Sequence, residues 1–212
     1  GHVKHEVHRN LQLLTPLNIH EFENPRLYPS QQDYDEVTRY KKKSYYVFAP
    51  SSVWFTKQWQ QTQWIELIQN ISEVIDIILI GGPGDSEYCN EIAEHKSNCM
   101  NLAGKLTFLQ SAALIDDALL TIVNDSAPLH FSSAMNTPTI AIYCSTIPDF
   151  GFYPLADNSH IVEYSGDLYC RPCGLHGFKE CPESHFKCAQ DISIESVLEA
   201  IENIIDDEIP GS

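Results

Sequence analysis

Short apolar runs alternate with amphipathic segments of helical length through most of this chain, and that alternation decides the fold class. Tyr45 to Ala49 is an apolar strand. Gln61 to Asn70 follows as a helix with Trp64, Leu67 and Ile68 on one face. Ile75 to Ile80 is nearly all apolar and rich in β-branched residues, the pattern of a strand buried on both faces. Asp85 to His95 and Thr107 to Asp116 read as helices, with Asp85 and Thr107 placed as N-caps. Between them, Asn101 to Gly104 reads as a short edge segment. Leu119 to Val123 is a strand, Ala127 to Met135 a helix and Thr137 to Tyr143 a strand. Ile161 to Tyr164 adds a short strand, and Ile192 to Ile205 closes the chain as an amphipathic helix. Strands joined through helices of about ten residues need crossover connections, hence a parallel sheet. The expected fold is α/β, a Rossmann-like parallel sheet with helices on both faces.

The first 43 residues do not follow this rhythm. Gly1 to Asn10 is polar and His-rich. His5 to Leu14 reads as a short amphipathic helix with Val7, Leu11 and Leu14 on one face. Asn18 to Lys43 holds Pro25, Pro29 and the run Lys41-Lys42-Lys43, and reads as a linker or extended arm. The division is therefore 1–43, an interdomain helix and arm, and 44–212, the Rossmann-like domain. A Cys-rich segment, 167–190, is inserted before the last helix. A helix and a long arm ahead of the first strand imply a further domain before them.

Composition narrows the function. The formal net charge is −16, which repels nucleic acid and anionic membrane surfaces. A nucleotide ligand is still compatible with it, because backbone amides and one or two local cations can hold phosphates. No run approaches the roughly 20 apolar residues that span a bilayer, and the start has no apolar signal region. The chain is expected to be soluble and cytoplasmic, with at most peripheral association at the inner face of the inner membrane.

Ligands in open α/β sheets bind outside the carboxyl ends of the strands. That rule singles out the loops Pro50–Trp59, Gly81–Glu87, Asn124–His130 and Cys144–Phe150. In Asn124-Asp125-Ser126-Ala127-Pro128-Leu129-His130, Pro128 suits the first turn of a helix. The free amides of that turn make an anion site suited to a diphosphate, and Asp125 can accept hydrogen bonds from sugar hydroxyls. The plainer reading is that Asp125 and Ser126 only cap the helix. Gly81-Gly82-Pro83-Gly84-Asp85-Ser86-Glu87 allows close backbone approach, but lacks both the P-loop and the dinucleotide signatures. Pro50-Ser51-Ser52 and Lys57 complete the set. Lys57 is one of few cations near the strand ends, where a lysine can neutralise a leaving phosphate; a solvated surface lysine is the alternative. Trp59 and Trp64 read as core.

Taken together, these loops resemble glycosyltransferase family 9, the heptosyltransferase family. The resemblance runs from about His5 to Ile205. It rests on five motifs in order: Ala49-Pro50-Ser51-Ser52 with Lys57-Gln58-Trp59; Ile80 to Glu87; Asn101-Leu102-Ala103-Gly104; Asn124-Asp125-Ser126 with His130; and Tyr143 to Asp149. It implies one half of a GT-B enzyme that binds an ADP-sugar donor, typically ADP-heptose, for inverting transfer to a lipopolysaccharide core acceptor. No metal is required for such catalysis. The general base belongs to an N-terminal acceptor domain absent from this chain, so the isolated half is expected to be inactive. A non-catalytic nucleotide-sugar-binding or regulatory module of the same fold is the alternative. Donor contacts are implied for Ser51, Ser52, Lys57, Gly82, Asp125, Ser126, Ala127 and Thr146, and for Glu87 or Asp85 at the ribose. His130 either contacts the donor or holds its loop through a backbone hydrogen bond. Three positions depart from the family pattern: Ser51 stands for a glycine, Ala127-Pro128 for a glycine, and Cys144-Ser145 for Gly-Pro.

Four of the seven cysteines crowd into Cys170-x₂-Cys173-x₇-Cys181-x₆-Cys188. Four thiolates suit a structural zinc, and the first pair has knuckle spacing. Disulfides and independent thiols are the other two readings. In each the segment braces a loop rather than doing chemistry.

Overall fold

The computed structural model describes residues 4–208; Gly1–Val3 of the polar start and 209–212 lie outside the described residues. The strands are β1 (Tyr45–Ala49), β2 (Asp76–Leu79), β3 (Cys99–Asn101), β4 (Leu120–Asn124), β5 (Thr139–Tyr143) and β6 (Ser159–Glu163). They form one sheet in the order β3-β2-β1-β4-β5-β6, and every neighbouring pair is parallel. The chain leaves β1 towards β2 on one side and returns to pair β4 on the other. The strand order therefore reverses between β1 and β4, which opens a crevice at their carboxyl ends.

Alternate residues of each strand feed two cores. Tyr46, Phe48, Ile77, Leu79, Ile122, Ile140 and Ile142 point to one face, where α3 (Gln61–Asn70), α4 (Ser86–Ala93) and α8 (Ile194–Glu208) pack. Tyr45, Val47, Ala49, Ile78, Val123, Ala141 and Tyr143 point to the other, under α2 (Gln31–Thr38), α5 (Phe108–Asp116) and α6 (Ala127–Met135). This two-sided burial is why the strands read as continuous apolar runs. Trp59 and Trp64 are core residues, edge-to-face at 5.3 Å. Thr107 caps α5 by accepting from the Gln110 amide at 3.2 Å.

Two local expectations need correction. The arm at 18–43 contains a helix, α2, docked on the domain. Val37 is fully buried in the second core, the Tyr34 hydroxyl donates to Asp116 at 2.7 Å, and Lys41 bonds the Ala113 carbonyl at 2.9 Å. Ser30 and Asp33 form a reciprocal capping box that starts it. The expected helix His5–Leu14 is α1 (Glu6–Leu11) followed by a tighter 3₁₀ segment, Gln12–Leu17, which contains Pro16. His5 anchors this start, with its Nε2 at 3.0 Å from the Tyr153 carbonyl.

Candidate functional site

The strand order brings together loops far apart in sequence. Lys57 ends a 3₁₀ turn, Phe55–Lys57, in the loop after β1. Asp125 follows β4, the neighbour of β1 in the sheet. Across the crevice, Lys57 Nζ lies 2.7 Å from Asp125 Oδ2, with side chains 14% and 9% exposed. The pair is thus largely withdrawn from solvent, where a charge-assisted hydrogen bond is strong and an unpaired charge costly. Thr146, after β5, donates its Oγ1 to the same carboxylate oxygen at 2.7 Å. Three loops converge on one carboxylate.

The backbone beneath is clamped by Asn124, the last residue of β4 and fully buried. Its Nδ2 donates to the Pro50 carbonyl at 2.8 Å, and its Oδ1 accepts the Trp59 amide at 3.0 Å. One side chain therefore ties the β4 loop to both ends of the Lys57 loop. Within the latter, Gln58 Nε2 donates to the Ser52 carbonyl at 2.7 Å, and Ser51 is buried beneath.

Of the residues singled out in sequence, Lys57, Asp125 and Thr146 meet directly. Ser126 is the N-cap of α6, but its side chain makes no capping bond; its Oγ donates back to the Asn124 carbonyl at 3.3 Å. Asp125 is turned to Lys57 and Thr146. The capping reading of Asp125-Ser126 is therefore not realised, and Ala127, the first residue of α6, is exposed. Thr146 is fully buried, so its hydroxyl positions Asp125 instead of facing open solvent.

Asp85 and Glu87 part company. Asp85 Oδ2 accepts the Gly82 amide at 2.7 Å and closes the glycine turn, rather than capping α4. Glu87, on the first turn of α4, is exposed. His130 sits edge-on to Phe152 with ring centroids 6.2 Å apart. Among the described residues its ring makes no backbone hydrogen bond. Burial holds its pKa below the usual histidine value, with the Asp125 charge opposing and the Lys57 charge assisting.

Sequence reasoning passed over Arg171 and Thr56. Both join the Cys-rich segment to this end of the sheet. Thr56 accepts the Phe178 amide at 2.8 Å and donates to the Phe178 carbonyl at 3.2 Å, while the Ser145 hydroxyl lies 3.0 Å away. The Cys173 amide donates to the Ser145 carbonyl at 2.8 Å. The only advance signal for Arg171 was an isolated cation inside the Cys-x₂-Cys spacing.

The thiols themselves are not joined in disulfides. Cys173 Sγ donates to the Cys170 carbonyl at 3.3 Å, Cys181 Sγ accepts the Phe186 amide at 3.4 Å, and Cys170 Sγ lies 3.7 Å from His185 Nε2. Burial pushes the Cys188 thiol up to about 12, with the neighbouring thiols adding to the shift. Among the described residues, no three His, Cys, Asp or Glu side chains gather into a group that could hold a metal ion.

The family model for glycosyltransferase family 9 (heptosyltransferase) matches residues 2–183. This chain belongs to glycosyltransferase family 9. It is 32% identical over 154 residues to lipooligosaccharide heptosyltransferase 2 of Campylobacter jejuni, covering 70% of this chain and 47% of that one. Family 9 structures share the fold. E. coli ADP-heptose lps heptosyltransferase II is 26% identical with a TM-score of 0.69, over 87% of this chain and 54% of that one. A family 9 glycosyl transferase from Veillonella parvula, 19% identical, gives a TM-score of 0.80 over 96% of this chain and 61% of that one. The chain spans about half the length of the curated relatives it matches. No helix among the described residues is long and apolar enough to cross a membrane.

Proposed function

We propose that this chain is the donor-binding half of a heptosyltransferase, holding an ADP-sugar at the carboxyl ends of β1 and β4. The observation that carries this reading is the buried Lys57–Asp125 pair at the point where the strand order reverses. A sugar diphosphate needs a cation by its phosphates and an acceptor for its hydroxyls, and the two stand side by side here.

In the proposed reaction an acceptor hydroxyl of a lipopolysaccharide core displaces the nucleoside diphosphate from the anomeric carbon with inversion. The leaving diphosphate gains negative charge in the transition state. Lys57 and the amide end of α6 at Ser126 and Ala127 stabilise it, at about 10²–10³ in rate for each donor removed. Asp125, held by Thr146, accepts from the sugar hydroxyls. Ser51, Ser52 and Gly82 contribute backbone approach to the donor. Glu87 takes the ribose, since the Asp85 carboxylate is already occupied by the Gly82 amide. The acceptor and the base that deprotonates it come from a second domain. No step uses a metal.

The test is a calorimetric titration of the chain with ADP, ADP-heptose and UDP-sugars, repeated on Lys57→Ala and Asp125→Ala. Saturable binding of the adenine nucleotide sugar, weakened by both substitutions, supports the reading. A folded chain that binds none of these ligands overturns it.

A further inference from the structure

Arg171 lies outside every loop the family motifs mark, yet its side chain is only 11% exposed. Its Nε donates to the Cys144 carbonyl at 2.8 Å. Its Nη2 donates to the Thr146 carbonyl at 2.9 Å and lies 3.3 Å from the Tyr143 carbonyl. Nη1 reaches the Tyr164 carbonyl at 3.4 Å. The charge is balanced by Glu163 Oε2, 2.5 Å from Nη2. Tyr143 and Glu163 are register partners on β5 and β6. One planar fork thus gathers three carbonyls from the end of β5 and its loop.

The Thr146 carbonyl is held by Arg171, and the Thr146 hydroxyl is held by Asp125. A continuous chain of contacts runs from Arg171 through Thr146 to Asp125 and on to Lys57. Nε, Nη1 and Nη2 of Arg171 each already reach a backbone carbonyl, and Nη2 also Glu163, so the residue is placed to hold the β5 loop and not as a direct phosphate ligand.

We infer that Arg171 is a positioning residue of the donor site, fixing Thr146 so that its hydroxyl orients Asp125 against Lys57. The inference rests on reading the Lys57–Asp125 end as the donor site. It assigns the Cys-rich segment a definite task, which is to deliver Arg171 to the β5 loop. Cys173, whose amide bonds the Ser145 carbonyl, and Phe178, bonded to Thr56, dock the segment on the loops that carry Thr146 and Lys57.

Two measurements test it on the same proteins. The first is ADP affinity by calorimetry for the wild type, Arg171→Lys, Arg171→Met, Thr146→Val and the Arg171→Met/Thr146→Val double variant, each with its melting temperature. The second is the rate at which an amine-reactive reagent labels Lys57, read by peptide mass spectrometry, which needs no ligand. Arg171→Met is expected to weaken ADP binding about tenfold, the effect of losing one hydrogen bond to a charged group, and to speed Lys57 labelling. The double variant should bind no worse than Thr146→Val alone, because both act through one group. Arg171→Lys keeps the charge but not the fork, and should resemble Arg171→Met. Glu163→Gln, which keeps an acceptor for the fork, should leave Lys57 labelling near the wild-type rate and guards against misfolding as the cause. Additive losses in the double variant, or Lys57 labelling unchanged in Arg171→Met, overturn the inference. If the wild type binds no ADP, the donor reading fails, and Lys57 labelling alone then decides whether Arg171 positions the pair.

Discussion

Asp125 Oδ2 is shared between Lys57 Nζ and Thr146 Oγ1, each at 2.7 Å. Removing the carboxylate strands a nearly buried ammonium and a fully buried hydroxyl together. Asp125→Ala is therefore expected to cost about 3 kcal/mol in stability, because it leaves a charge without its partner. Replacing both members, Lys57→Met with Asp125→Leu, should recover most of that loss while abolishing nucleotide-sugar binding. Urea denaturation of the three proteins checks this. Equal losses in the single and double variants would mean the pair is solvated and contributes little.

Asn124 is the second place where one side chain holds two loops. Asn124→Ala leaves the Trp59 amide and the Pro50 carbonyl without partners, both of them buried. Each orphaned group costs about 1–3 kcal/mol, so a loss of about 3 kcal/mol is expected, with weaker ADP binding as the Lys57 loop shifts. Denaturant titration and calorimetry read the two effects. A variant as stable as wild type would show that the clamp is dispensable.

Lys57 and Asp125 were legible in the sequence because the chemistry sits at strand ends, where the alternation of strands and helices already places a ligand. One of few cations near the strand ends of an acidic chain and a strand–Asp-Ser–helix turn stand out there. Arg171 and Thr56 were not legible, because the contacts that tie them to the site are mostly to backbone carbonyls and amides, 25 to 122 residues away for Thr146 and Phe178. Backbone groups leave no trace in side-chain patterns. The helix α2 was hidden for a different reason. It has eight residues and buries one apolar side chain, Val37, too little periodicity to detect, although Ser30 and Asp33 carried a capping signal.

Histidines near the site make stability depend on pH. Burial lowers the pKa of His130, and likewise that of His5, below the ordinary 6.5. For His130 the Asp125 charge opposes the shift and the Lys57 charge adds to it. For His5 the Tyr153 carbonyl opposes it, and the neighbouring His130 and His8 add to it. As pH falls through 6.5 the unfolded chain takes up these protons first. Stability is thus full above that value and is lost as pH drops towards the lower folded pKa values. Denaturation midpoints at pH about 7.5 and about 5.5 should differ less in His130→Gln than in the wild type. An identical pH dependence in the two proteins would remove His130 from the account.

Gly177 brings the Cys-rich segment against the Lys57 loop. It has φ +78°, and a Cβ there would lie 2.9 Å from Thr56 Oγ1 and 3.3 Å from both Lys57 Cγ and Ser145 Oγ. Gly174, three residues earlier, has φ +65°, but its Cβ would meet nothing nearer than Phe178 Cζ at 3.9 Å. Alanine at either position carries the same left-handed backbone penalty, roughly 1–2 kcal/mol. Only Gly177→Ala also presses on Thr56 and the Lys57 stem, which must give by several tenths of an ångström. Both variants should therefore melt earlier by similar amounts, whereas ADP affinity should fall in Gly177→Ala and hold in Gly174→Ala. Comparing the two separates the cost of backbone strain from the cost of moving the lysine. Equal affinities in both would falsify the claim that this segment sets the position of Lys57.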